Sequence, residues 1–113
     1  MYGPKYTYNA IVRRIVDGDT IDVDIDMGFR AWRMRERLRL DSINAPETRG
    51  PSRDDGLAAK KFLSELIPEG SQIVICTKPD PDAFGRWIAN VFIGETYVNY
   101  AMVEEGHAVR KTY

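Results

Sequence analysis

Residues 17–28 read DGDTIDVDIDMG, and the spacing of their side chains decides how the chain folds. From Asp19 onward the pattern alternates. Ile21, Val23, Ile25 and Met27 fall on one side, and Asp22, Asp24 and Asp26 on the other. A period of two marks a β-strand with one dry and one wet face. The competing assignment, a calcium loop of the EF-hand kind, requires glycine sixth and glutamate twelfth. Counted from Asp22, those positions hold Met27 and Arg33. The three alternating aspartates therefore form the solvated face of a strand, and Asp17 belongs to an Asp17-Gly18 turn. Asp19 stands apart, because it shares the parity of Ile21 and Val23. At the mouth of a core its carboxylate needs a cation or an arginine to neutralise it.

Upstream of this stretch, residues 6–16 mix β-branched and aromatic side chains and read as a first strand. Downstream, Gly28 turns the chain into a strand over 32–40. Strict alternation there sets Trp32, Met34, Leu38 and Leu40 on one side and Arg33, Arg35, Arg37 and Arg39 on the other. Residues 45–53, APETRGPSR, form a loop. Ala59, Phe62, Leu63, Leu66 and Ile67 then recur at helical spacing until Pro68 and Gly70 end the helix. Strands over 72–76 and 86–93 follow, then a Gly94-Glu95 hairpin turn and a short helix over 98–105 stopped by Gly106. This order predicts a mainly β protein with some α: a five-stranded Greek-key OB-fold barrel with an inserted helix and a short second helix.

The 113 residues suffice for one domain, taken as 1–113. Sixteen basic residues against seventeen acidic ones give a net charge of −1, so a nucleic-acid partner must be met by local patches. No apolar run is long enough for a leader or a membrane span. The expectation is an intracellular, cytoplasmic protein with no membrane partner, secreted only if a leader is missing from this sequence. Cys76 ends the run Ile73-Val74-Ile75-Cys76 and is expected as a buried free thiol. His107, the only histidine, is expected at the surface.

Four pieces carry a more specific signal: Val16-Asp17-Gly18-Asp19-Thr20; Arg39-Leu40 with Asn44-Ala45-Pro46-Glu47; Asp82-Ala83-Phe84-Gly85-Arg86; and Val98-Asn99 through Gly106. In order and in spacing, from about Tyr8 to Val109, they resemble the staphylococcal nuclease (thermonuclease) family. The resemblance implies an OB-fold and calcium-dependent hydrolysis of phosphodiester bonds in DNA and RNA, leaving 3′-phosphate ends. It implies one calcium ion held by Asp19, Asn44 and the backbone carbonyl of Ala45. It makes Glu47 the residue that holds or deprotonates the attacking water, and Arg39 and Arg86 the grip on the phosphate. Two departures stand out. The motif's aspartate is Asn44, which removes a negative charge from the ion's shell and predicts weak binding. The family's long C-terminal helix has no counterpart before the chain stops at Tyr113.

These residue types suit that chemistry. A phosphodiester repels an anionic nucleophile and gains charge in the transition state. A hard cation on oxygen ligands offsets that charge, and an arginine fork donates two parallel hydrogen bonds to the oxygens. Further contacts to a nucleic acid, with single strands preferred, are expected from the five arginines in 30–39, from Arg49, Arg53, Lys60 and Lys61, and from Phe84 and Tyr113 stacking on bases. The alternative is a non-catalytic OB-fold nucleic-acid-binding module with a weakened metal site, or more remotely a protein-interaction barrel. A decayed module would be expected to lose Arg39, Glu47 and Arg86 together, yet all three are present.

Overall fold

The structure, a computed structural model, describes residues 6–111. Strands β1 (Thr7–Asp17), β2 (Thr20–Asp26) and β3 (Trp32–Leu40) form an antiparallel meander. A two-residue strand β4 (Ile43–Asn44) and a 3₁₀ turn (Gly50–Ser52) lead into helix α1 (Arg53–Leu66). Then come β5 (Gln72–Thr77), β6 (Trp87–Ile93), β7 (Thr96–Tyr97), α2 (Val98–Glu104) and β8 (Val109–Arg110). The strand order is β3-β2-β1-β5-β6-β7, and β3 pairs with β6 in parallel. That pairing closes β1, β2, β3, β6 and β5 into the five-stranded OB-type barrel that the sequence predicts.

Val12, Ile21, Val23, Leu38, Leu40, Ile75 and Val91 fill the barrel and are fully buried. Helix α1 adds Ala59 and Leu63, and the residue that caps it adds Ile67, with Phe62 and Leu66 packed at the margin, so the predicted stripe is the contact face. Gly106 ends α2 in the left-handed region at φ 78°, and the amides of Gly106, His107 and Ala108 turn back onto Val103 and Met102. Among the described residues no helix is long and apolar enough to cross a membrane. Cys76 is a partly buried free thiol. His107 is half-buried and stacks on Phe62 with ring centroids 4.8 Å apart, so it packs against α1 and is not a bare surface residue.

Bulges in β1 and β3 set which side chains face inward, and the one in β3 overturns the faces expected there. In β1 the buried residues run Ala10, Val12 and then Ile15, because an extra residue at Arg13 shifts the register against β2. In β3 the alternation predicted for Trp32, Met34, Leu38 and Leu40 fails. Leu38 and Leu40 are fully buried, but Trp32 and Met34 are 43% and 61% exposed. Glu36 stands opposite Val23 and Arg33 opposite Ile25, so β3 carries one residue more than β2 in that interval. Arg35 takes the left-handed φ of 53° there. One extra residue reverses every side chain beyond it: Arg33 joins the Ile25 face, while Trp32 and Met34 turn outward. Met27, expected beside Ile25, is likewise 41% exposed.

Asp24 is the second correction, for it is not solvated but 2% exposed. One oxygen accepts the bulge amide of Arg35 at 2.8 Å, and the other accepts Arg13 Nε. The carboxylate thus staples the bulge of β1 to that of β3. Asp22 pairs with Arg37 at the rim, and Asp26 caps the Gly28 amide. Burial pushes the Asp24 carboxyl up, but the Arg35 amide and the Arg13 guanidinium outweigh it and hold it below the ordinary carboxylate range. A carboxyl held low in the folded state adds stability above its unfolded pKa of about 4, and that stability is lost as pH falls through the folded value. Asp24→Asn is therefore expected to lower stability at pH 7 by about 1–3 kcal/mol. It should also flatten the decline of urea-unfolding free energy below about pH 4. A variant that declines as steeply as the wild type would show that Asp24 does not carry the acid sensitivity.

Candidate active site

One end of the barrel gathers the β1–β2 turn, the end of β3, β4 with the loop after it, and the residue before β6. The turn is Gly18-Asp19. A Cβ at Gly18 would stand 2.7 Å from the Ala59 Cβ and 2.9 Å from the Ala45 Cβ, so glycine lets the turn touch both α1 and the loop. Asp19 is 7% exposed. Its Oδ1 accepts Thr20 Oγ1 at 2.9 Å, and its Oδ2 accepts the Ala45 amide at 2.8 Å and faces Arg39 Nη2 at 3.3 Å.

Arg39 does lie on the side of β3 opposite Leu38 and Leu40, as parity requires, but that side is covered. Residues 41–45 fold across it, and Arg39 is 7% exposed. Nη1 donates to the carbonyls of Leu40 and Ile43, each at 2.9 Å, and Nη2 donates to Asn44 Oδ1 at 3.0 Å. Asp19 meets this guanidinium because it sits in a turn, where strand parity does not constrain it.

Three features that hold the covering segment and the loop after it were not foreseen from the sequence. First, β8 pairs with β4, Asn44 opposite Val109, and the Lys111 amide donates to Ser42 O at 2.8 Å. Strands of two residues are too short to show a period. Second, Asn99 is 2% exposed; its oxygen accepts the Val91 amide at 2.9 Å, and its nitrogen donates to Asp41 O at 3.0 Å and Ala89 O at 3.1 Å. It ties the root of the segment to β6. A polar residue beside the apolar stripe of α2 was the available signal. Third, Gly56 in α1 lies against the Glu47 loop, where a Cβ would fall 1.9 Å from Glu47 O. A glycine inside a helical pattern marks such close approach.

Glu47 is exposed, and among the described residues its carboxylate has neither a hydrogen bond nor an ion pair. Its loop is anchored where Thr48 Oγ1 donates to Asp17 Oδ1 at 3.1 Å, so Asp17 does more than turn the chain. Arg86 is set by Asp82, whose carboxylate accepts the amides of Phe84 and Arg86 and the Arg86 Nε, all at 2.9 Å. Burial pushes Asp82 up, but those amides and the guanidinium hold it below the ordinary carboxylate range. The Arg86 guanidinium lies 5.3 Å from the Phe84 ring centroid, and Phe84 is 82% exposed.

Asp19, Arg39, Asn44, Ala45, Glu47 and Arg86 line a single cavity of about 250 Å³, together with Asp17 and Lys111. The predicted site residues are thus brought together, with Phe84 carried on the same loop as Arg86. Tyr113 lies outside the described residues. An adjoining cleft of about 450 Å³ shares Asp17 and Glu47 and adds Arg14, Arg49 and Lys60. The arginine run of 30–39 is divided: Arg33 pairs with Glu36, Arg37 pairs with Asp22, and Arg39 is inside. The basic wall next to the cavity is therefore Arg14, Arg49 and Lys60.

Fold and site together define an OB-barrel protein whose pole carries two guanidinium groups, oxygen donors and an exposed carboxylate around one small polar cavity. The family model described as "Staphylococcal nuclease homologue" matches residues 37–113, and the chain belongs to that family. It is 31% identical over 106 residues to the thermonuclease of Staphylococcus intermedius, covering 91% of this chain and 60% of that protein. It is 34% identical over 110 residues to the micrococcal nuclease of Shigella flexneri, covering 89% and 57%. Against endonuclease YhcR of Bacillus subtilis (strain 168) it is 27% identical over 111 residues, 89% of this chain and 9% of the relative. The chain thus spans about 60% of the length of the thermonucleases it matches.

Proposed function

We propose that this chain is a nuclease that hydrolyses phosphodiester bonds in DNA, RNA or both. One observation carries the proposal: Asp19, Arg39, Glu47 and Arg86, drawn from four separated stretches of sequence, line the same cavity. The relatives named as thermonuclease, micrococcal nuclease and endonuclease support it. Arg39 reaches the cavity from the end of β3 and Arg86 from the residue before β6, so the two guanidinium groups approach one phosphate from two directions and stay charged at any working pH. Among the described residues Glu47 has no partner to neutralise it, which leaves its carboxylate available to orient a water and take its proton. The cleft lined by Arg14, Arg49 and Lys60 offers cations to neighbouring phosphates of the same strand. Phe84 offers a face to an unstacked base, which favours single strands.

Oxygen donors of the kind a hard divalent cation takes stand at this end of the barrel, the Asp19 carboxylate and the side-chain oxygen of Asn44 with Ala45 beside them. Asn44 Oδ1 is, however, turned to Arg39 Nη2. Among the described residues no cluster of three or more His, Cys, Asp or Glu side chains is arranged to hold a metal. Calcium would therefore rest on Asp19 and on neutral oxygen, to which Asn44 contributes only by turning its Oδ1 away from Arg39, and bind weakly. When bound, it would offset charge on the phosphate oxygens. Affinity follows ligand charge, so a dissociation constant on the order of 10⁻⁴–10⁻³ M is expected by titration calorimetry. Asn44→Asp should tighten it, whereas unchanged or weaker binding would show that position 44 does not touch the ion.

The decisive assay incubates the chain with a single-stranded oligonucleotide in calcium and then in chelator. Cleavage with calcium, lost in chelator and in Glu47→Gln, is the expected outcome. Retention of the strand with no cutting under any divalent cation would replace the hydrolase with a binding module.

A further inference from the structure

A guanidinium has donors and no acceptor. The atom of the Asn44 side chain that meets Arg39 Nη2 at 3.0 Å is therefore its amide oxygen, and the amide nitrogen points away from Arg39. Asn44 is exposed, lines the cavity, and its Nδ2 has no partner among the described residues. Arg39 is the reverse case. Its Nη donors are engaged by Leu40 O, Ile43 O, Asn44 Oδ1 and Asp19 Oδ2, which leaves Nε–H as the donor without a partner among the described residues.

We infer that Asn44 serves the anion: its NH₂ group donates to a non-bridging phosphate oxygen, so the cavity binds a nucleic-acid phosphate without a divalent cation. The identity of the ligand rests on the hydrolase proposal. A carboxylate at position 44 would accept from Arg39 equally well, but it would turn an anionic oxygen toward the phosphate and require a cation between them. With asparagine, a cation is needed for cutting and not for holding the strand. The remaining donors of Arg86 complete the cradle.

Asn44→Asp isolates the outward atom, because the shape and the acceptor for Arg39 are kept. The measurement is fluorescence anisotropy of a labelled single-stranded oligothymidylate at fixed salt, in chelator and then in calcium. In chelator the wild type binds, and Asn44→Asp binds about tenfold or more weakly. Calcium restores the variant. Ser42→Asp adds the same charge to an exposed neighbour outside the cavity and should leave binding near the wild-type level. Equal binding by wild type and Asn44→Asp in chelator would overturn the inference. So would a wild type that binds only with a cation, or a Ser42→Asp loss as large as that of Asn44→Asp. A wild type that binds in chelator better than Asn44→Asp yet never cuts would remove the hydrolase proposal and leave the phosphate contact standing.

Discussion

Arg39→Lys is expected to slow cleavage by about 10²–10³-fold, the usual consequence of removing a donor aimed at developing charge. Charge alone does not fill the role. The two Nη atoms of Arg39 hold the carbonyls of Leu40 and Ile43, the amide oxygen of Asn44 and the carboxylate of Asp19. A lysine ammonium has three donors on a flexible stem and no planar fork, so it cannot satisfy all four acceptors and also meet a phosphate. The change should therefore be felt in folding too. Two inward carbonyls lose their partner, at about 1–3 kcal/mol for each one left unsatisfied. Arg86→Ala provides the contrast. Its side chain is 30% exposed and its ion pair is with Asp82, so activity should fall comparably with little loss of stability. Urea unfolding beside a cleavage assay separates the two arginines. If Arg39→Lys keeps wild-type activity, the cavity does not hold the scissile phosphate through that guanidinium.

The barrel was legible because its core strands repeat every second residue and its main helix at three and four, and these periods follow from backbone geometry. Ile21, Val23, Ala59 and Leu63 fall where their spacing puts them. The faces of Trp32, Met34 and Asp24 were not legible, because one inserted residue reverses a strand's parity and nothing in a run of arginines announces where it sits. The same limit hid why Arg39 and Asp19 meet. Parity alone sets them on different faces, and the contact depends on a turn residue and on a segment folded over the strand. That segment is secured by backbone hydrogen bonds from β8, which leave little trace in side-chain type, and by the side-chain amide of Asn99. The composition of the site was readable from four ordered motifs; the direction of the Asn44 amide was not, because it is set by the partner that Arg39 offers it.

Gly56→Ala is expected to destabilise the chain by about 1–3 kcal/mol, although the same change in an unencumbered helix interior gains about 0.5–1 kcal/mol. The sign reverses because a Cβ at position 56 would lie 1.9 Å from Glu47 O, 2.3 Å from Glu47 C and 2.8 Å from Thr48 N. All three are backbone atoms and cannot swing aside as the end of a long side chain would. Either α1 moves off the barrel, exposing Ala59 and Leu63, or the loop carrying Glu47 moves and strains the Thr48–Asp17 hydrogen bond. The helix is held by more buried surface, so the loop yields first. A displacement of about 1 Å at a catalytic group can cost about 10²-fold in rate. Because Arg39, Arg86 and Asn44 are anchored elsewhere, kcat should fall by about that factor while oligonucleotide binding in chelator stays near the wild-type level. A Gly56→Ala protein as stable and as active as the wild type would show that the helix and the Glu47 loop are not in the contact the structure gives them.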